Sequence, residues 1–270
     1  MRNKMKIQIL SDLHNEFLRS TELAQSRGDF NPEVWEGYIP ETDADLIVLA
    51  GDIDIGCKGI KWAIQESNHL NVPIIYIAGN HEYYNREYYS TLKKMRDASK
   101  GTNVHFLERT EIIIENIRIL GTTLWTDYNV VPDQDVRQVM NECEHALNDH
   151  RVIRIAGQGY FSTLNARKIN HESVKWLEGK LNDDTNMKTL VVTHHGPSIL
   201  CQHKKYPVSA ISGAFHSDLS ELVSKADCWV YGHTHSNLDT TVKGCRLISN
   251  QPGYPSEDVD GFDSSKIVEL

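Results

Sequence analysis

Five short motifs in this chain combine carboxylate, imidazole and amide side chains: Asp12-x-His14, Gly51-Asp52, Gly79-Asn80-His81, His194-His195 and Gly232-His233-Thr234-His235. Each follows a short apolar run, where a strand is expected to give way to a loop. Mixed oxygen and nitrogen ligands of this kind suit two transition-metal ions sharing one site. An extended backbone sends residues i and i+2 to the same side, so Asp12 with His14, and His233 with His235, can each converge on one ion. A carboxylate has two oxygens, which makes Asp52 a candidate to bridge two cations. Asn80 offers a neutral carbonyl oxygen and His194 an imidazole nitrogen. The glycines at 51, 79 and 232, just ahead of these residues, are expected to let the backbone turn sharply.

Taken singly, each motif has a plainer reading. Asp-x-His after a strand serves as a helix cap or surface turn, and Gly-Asn-His-Glu can lead into the capping of a following helix. What sets these readings aside is that all five motifs occur together, each at a strand end.

The elements that must position them are legible as apolar runs at 6–10, 46–50, 74–78, 104–107, 111–114, 118–120, 189–193, 228–231, 238–242, 246–249 and 267–270. Several are continuously apolar, as strands buried on both faces are. Helical periodicity appears at 60–69, 86–99, 134–148, 173–181 and 217–225. Strands alternating with helices predict an α/β layered architecture, whose sites lie at the carboxyl ends of the strands. The polar segment 125–170 interrupts the alternation and reads as a cap or a surface excursion. Residues 15–43 form a second long connection, and both segments are candidates for setting specificity.

Composition bounds the function. The 270 residues carry a net charge of −9, with 40% hydrophobic and 24% charged residues, an ordinary soluble balance that fits one large domain over 1–270. The acidic excess disfavours nucleic-acid phosphates and anionic membranes as partners. Five scattered cysteines without a Cys-x-x-Cys pair suggest free thiols in a reducing compartment. With no apolar signal segment or membrane-length run at hand, the expectation is a cytoplasmic protein.

The ordered motifs, together with Leu120–Asp127, Val192–Pro197 and the turn from Asn250 to Pro255, resemble the calcineurin-like metallophosphoesterase superfamily, specifically a bacterial-type cytoplasmic subgroup. The resemblance spans essentially the whole chain. It implies an α/β fold of the αββα two-sheet sandwich type and two divalent transition-metal ions, drawn from Mn, Fe, Zn, Co or Ni with Mn favoured. It assigns one ion to Asp12, His14 and His235 and the other to Asn80, His194 and His233, with Asp52 bridging. His81 is the implied catalytic residue, stabilising a phosphoryl oxygen or protonating the leaving group, and His195 is the lesser ligand of its pair.

Two divalent ions, less Asp12, Asp52 and a bridging hydroxide, leave a centre of about +1 when the histidines are neutral. Such a centre attracts phosphate despite the acidic surface. The implied activity is hydrolysis of phosphomonoesters or phosphodiesters, small or nucleotide, by the metal-bridging hydroxide. A nuclease of the same superfamily and a catalytically silent binding module are the alternatives.

The sequence also departs from known relatives. Protein phosphatases carry Gly-Asp-x-x-Asp-Arg-Gly, whereas this chain has Gly51-Asp52-Ile53-Asp54-Ile55-Gly56. Pairing of Asp54 with His81 is therefore in doubt, and Glu82 is an alternative partner. The turn Asn250-Gln251-Pro252-Gly253-Tyr254 lacks the arginine many relatives have there. Tyr83, Tyr84, Tyr88 and Tyr89 are expected to pack or face solvent rather than stack on a nucleobase. Lys204 and Lys205 are expected on a solvated face, and His216 in the same loop is a candidate to meet phosphate.

Overall fold

The computed structural model describes residues 4–18, 36–183 and 185–270. Most of the 15–43 connection lies outside the described residues. Because successive strand side chains point to opposite faces, each continuous apolar run feeds two layers at once. In β1 (Lys6–Leu10) and β2 (Leu46–Leu49), Ile7, Ile9, Leu46 and Val48 enter one buried cluster while Leu10, Ile47 and Leu49 enter another. β3 (Ile74–Tyr76) divides in the same way, Ile75 to the first and Ile74 and Tyr76 to the second.

These strands form a five-stranded sheet in the order β13-β1-β2-β3-β4, with β4 at Val104–Phe106 and β13 at Ile267–Glu269. All but β13 run parallel to their neighbours. A second, six-stranded sheet has the order β11-β12-β10-β9-β6-β5. Its strands are β5 (Thr110–Ile114), β6 (Ile117–Thr122), β9 (Lys188–Thr193), β10 (Cys228–Val230), β11 (Asp239–Val242) and β12 (Cys245–Ile248). Here β6, β9, β10 and β12 are parallel and the two edge strands antiparallel.

The inner faces of both sheets share one apolar layer: Ile7, Ile9 and Val48 from the first sheet, Ile119, Leu190 and Val230 from the second. Burying each such side chain contributes about 1.5–3 kcal/mol. The outer faces are covered by helices. Ile60 and Ala63 of helix Lys58–Leu70, with Leu92 and Met95 of helix Tyr88–Ser99, cover the first sheet. Leu177 of helix Thr163–Leu181 and Leu222 and Val223 of the short helix Ser220–Val223 cover the second. This is the expected αββα sandwich.

The boundaries differ most in two places. Helix Thr163–Leu181 begins well before 173, because Ser162 caps it in a box with Asn165 and extends it through a stretch whose polarity masks its buried face, Ala166, Ile169 and Asn170. The expected helix over 217–225 reduces to Ser220–Val223. The segment 125–170 comprises helices Val136–Ala146 and Asp149–Val152 and a small hairpin, β7 (Arg154–Ile155) with β8 (Gly159–Tyr160). Val139, Met140, Cys143, Ile153 and Phe161 join the core over the first sheet, so this segment packs into the fold rather than standing off its surface.

Candidate metal centre

All five motifs lie just beyond the ends of parallel strands, where the ladder continues into the loops. Asp12 N donates to Gly51 O at 2.9 Å, His14 N to Asp52 O at 3.0 Å, and Gly232 N to His194 O at 2.9 Å. The loops are thereby tied to one another before any side chain is considered. Their backbone is not extended: Asp12, His14, Asp52, His233 and His235 all have φ between 46° and 69°. The i and i+2 side chains therefore converge through left-handed turns, which are costly for residues with a Cβ and are held here by the inter-loop hydrogen bonds. The role of the glycines also divides. Gly51 does adopt a positive φ of 94°. Gly79 and Gly232 are instead required by close approach, since a Cβ at Gly79 would overlap the Asp52 carboxylate and one at Gly232 would overlap Ser11 Oγ and the Asp12 carboxylate.

Two clusters of the expected ligands result, and a third group joins His14 and His81 through Glu16. Asp12, His14 and His235 bring ligand atoms within 4.8 Å of one another, as do Asp52, His194 and His233. Asn80 joins the second, with Oδ1 3.0 Å from His194 Nε2. Asp52 stands between them: Oδ1 is 3.5 Å from His194 Nε2 and Oδ2 is 3.9 Å from His14 Nε2. Asp12 accepts from His233 N with both oxygens, at 3.0 and 2.9 Å, which aims its carboxylate at the His233–His235 loop.

The tautomers follow from the partners. His194 Nδ1 lies 2.9 Å from Ala50 O, His14 Nδ1 lies 3.2 Å from Glu16 Oε1, and His235 Nδ1 bonds Glu257. Carbonyl and carboxylate oxygens only accept, so each Nδ1 carries a proton and each neutral Nε2 is a bare lone pair. His14 Nε2 then faces His235 Nε2 at 3.1 Å, and His194 Nε2 faces Asn80 Oδ1 at 3.0 Å. Asn80 is oriented by its own amide, which donates to Asp149 Oδ1 at 2.9 Å and to Tyr84 Oη at 3.2 Å. His233 Nε2 is buried with no hydrogen-bond partner among the described residues.

Acceptors facing acceptors, beside a buried orphan nitrogen, are what a cation relieves. With only protons to fill these gaps, and against the opposition of burial, Asp52 and Asp12 raise His194 to about 9 while Asp12 and Glu257 raise His235 to about 10. Burial lowers His14 from the ordinary imidazole value and, with His195 and His194 beside it, takes His233 well below that value, leaving both neutral as ligands must be. Burial works against ionised Asp52 too, yet His194 and His81 hold its pKa well below the carboxylate range. The donor set thus fits two divalent cations.

His81 sits beside the pair, with Nε2 3.9 Å from Asp52 Oδ2. Its partner is neither Asp54 nor Glu82. Glu16 Oε1 lies 2.8 Å from His81 Nδ1, and Tyr254 Oη lies 3.1 Å from its Nε2. Tyr84 stacks on the ring at 4.1 Å. Burial opposes its protonation, but Asp52 and Glu16 raise its pKa overall. Glu82 turns the other way and buckles the loops, accepting from the amides of Asp52, Ile53 and Gly79 at 3.1, 3.0 and 2.7 Å and from Tyr76 Oη at 2.8 Å. Burial and Asp52 together lift its pKa to about 7.

His195 packs its ring on His233 at 4.3 Å with Nδ1 3.2 Å from Thr123 O, and burial lowers it to about 3. Tyr83 and Tyr88 stack on each other in the core, and Tyr89 is exposed. Lys204 and Lys205 are exposed, whereas His216 is buried at a cavity wall.

Sequence reasoning missed Glu16, Asp149, Glu257 and Gln251. Gln251 stands one position before the missing arginine; its Oε1 accepts from His235 N at 2.8 Å and its amide donates to Thr234 Oγ1 at 3.1 Å. Glu16 continues the Asp12-x-His14 alternation and carried a readable signal; the others are remote in sequence from what they hold.

A family profile described as calcineurin-like phosphoesterase matches residues 5–237, which includes all five ligand motifs. The chain belongs to this family. Its members depend on a dinuclear metal centre, and the paired clusters here are candidates for that centre. This calcineurin-like phosphoesterase is 26% identical over 272 residues to the uncharacterised protein L509 of Acanthamoeba polyphaga mimivirus, covering 93% of this chain and 92% of the relative. Its fold is similar to that of a phosphopantetheinyl hydrolase from Mycobacterium tuberculosis, with a TM-score of 0.74 at 16% identity, covering 100% of this chain and 97% of the other. A dimetal phosphatase from Danio rerio is also similar, with a TM-score of 0.52 at 16% identity over 93% and 88% of the two chains. No helix among the described residues is long and apolar enough to cross a membrane.

Proposed function

We propose that this chain hydrolyses small phosphoric esters at a two-ion centre, one ion held by Asp12, His14 and His235, the other by Asn80, His194 and His233, with Asp52 shared. The observation that carries this reading is the set of facing lone pairs, His14 Nε2 on His235 Nε2 at 3.1 Å and His194 Nε2 on Asn80 Oδ1 at 3.0 Å. Bound divalent ions, manganese foremost, supply Lewis acidity toward phosphate and a nucleophile at neutral pH. The chain's own residues do the rest. Glu16 fixes Nδ1 of His81, which lines the cavity, so that Nε2 is the atom left to stabilise a phosphoryl oxygen or give a proton to the departing oxygen. Asp149 and Glu257 orient Asn80 and His235 through hydrogen bonds. The names of the two structural relatives, a hydrolase and a phosphatase, lean the same way. The net charge of −9 favours a small ester over a nucleic-acid backbone.

The test is hydrolysis of aryl phosphates, cyclic nucleotides and dinucleotides by metal-stripped protein reloaded with one ion at a time. Asp52→Ala should lose metal and activity together, whereas His81→Ala should keep metal and lose turnover by about 100-fold or more. Failure of every ester with every ion would leave the binding-module reading in its place.

A further inference from the structure

Beyond the metal centre lies a cavity of about 520 Å³, which reaches from Asn80, His81 and His233 outward between residues 146–149 and 202–216. Its size is that of a small-molecule site, far more than one phosphate fills. The apolar walls include Leu147, Tyr206, Pro207, Ile211 and Phe215. Among the described residues, no lysine or arginine lines it; the ionisable residues that do are the histidines and tyrosines of the wall and the carboxylates Asp52, Asp149 and Glu257. Lys204 and Lys205 in the same loop are exposed and do not line it.

A second feature points to a ligand. His216 is fully buried and lines the cavity, yet neither of its ring nitrogens has a hydrogen-bond partner among the described residues. Buried polar groups are normally partnered, and leaving one unpaired is costly. A neutral imidazole offers one donor and one acceptor, which match an uncharged hydroxyl or amide.

We infer that the substrates are phosphodiester monoanions with one bulky, largely apolar arm that occupies this cavity, and that His216 binds a neutral polar group on that arm. The inference rests on the phosphoesterase reading and names its substrate class. The charge balance supports it: a centre of about +1 is neutralised by a monoanion, whereas a monoester dianion leaves a negative charge facing carboxylates, because the His81 imidazolium is already matched by Glu16 and no guanidinium or ammonium among the described residues lines the cavity to meet it. In the reaction a water oxygen bonds to phosphorus while one P–O ester bond breaks with its electron pair. The departing oxygen takes a proton, giving an alcohol and a phosphomonoester.

Diphenylphosphinate, a monoanion with two arms and no cleavable ester, and phenylphosphonate, at a pH where it is a dianion, separate the possibilities in calorimetric titrations of manganese-loaded protein. Diphenylphosphinate should bind about tenfold tighter or better, and bis-p-nitrophenyl phosphate should exceed p-nitrophenyl phosphate in kcat/KM by a similar factor. Ile211→Lys should narrow both ratios by adding a cation to the wall. Equal or tighter binding of phenylphosphonate, with turnover of the monoester, would overturn the diester inference and leave the phosphoesterase reading standing. Absence of turnover for both esters would remove that reading and this inference with it. For His216, an acetamido-substituted diphenylphosphinate should lose about tenfold more affinity than its parent in His216→Phe. His216→Leu is the second variant should the first not fold, and equal losses in either would take His216 out of the arm's site.

Discussion

Replacing Glu16 by Gln removes one charge and keeps the shape. Glu16 bonds two imidazoles, His81 Nδ1 at 2.8 Å and His14 Nδ1 at 3.2 Å, and its side chain is only 10% exposed. Burial works against its charge, but the two histidines bring it from 4.5 down to about 2. At about 1.4 kcal/mol per tenfold, that is roughly 3 kcal/mol shared between the two partners, His14 first and His81 close behind it. His81 in Glu16→Gln should therefore lose its proton about one pH unit or more earlier than in the parent. If His81 donates a proton, activity falls as pH rises through its pKa, so the alkaline limb of kcat/KM should move acidward by about that amount. His14 loses its orienting carboxylate in the same variant, and affinity for the ion it holds should fall by about 10-fold to 100-fold. The assay is a pH–rate profile at saturating manganese, with a metal titration of both proteins. An unmoved alkaline limb together with unchanged metal affinity would refute the role given to Glu16.

The same reasoning extends to Asp149→Asn, which weakens the grip on the Asn80 amide and frees it to turn its Nδ2 toward His194. Metal content after dialysis should then fall toward one ion per chain, through a loss of about 10-fold to 100-fold at the Asn80 site, and two retained ions would count against the assignment. Burial lowers His195 to about 3 and His216 to about 4, so both stay neutral in the folded chain. Their unfolded forms protonate below about 6.5, so the stability they contribute is whole above that pH and is lost as the pH falls through it toward 4. Urea unfolding of the metal-free protein should show each costing roughly 2 kcal/mol at about pH 5, and His216→Leu should flatten the acid limb. An acid limb identical in that variant would contradict the buried neutral state.

The strands and the ligand series were legible because both are local. An apolar run such as Ile74–Tyr76 reads as a buried strand whatever surrounds it, and Gly-His-Thr-His at 232–235 keeps its ligand character in any context. The helix Thr163–Leu181 was foreshortened because only a minority of its residues face the core, and the capping box at Ser162 outweighs the polarity of its first turns. Residue spacing predicts an extended backbone at the ligands, since spacing cannot report the positive φ values that the inter-loop hydrogen bonds impose.

By itself the sequence determined the layered α/β fold, the strand-end positions of the eight candidate site residues and the family to which the chain belongs. Those depend on hydrophobic period and side-chain chemistry, which are properties of short segments. Tertiary structure alone decided that His81 answers to Glu16 rather than to Asp54 or Glu82, that Glu257 and Asp149 hold His235 and Asn80, and that no lysine or arginine among the described residues lines the cavity beyond the centre. These outcomes turn on which of several equivalent carboxylates comes within hydrogen-bond reach of one ring nitrogen. Distances of that order are set by how two sheets, their helices and the C-terminal turn pack together, and no local pattern encodes them.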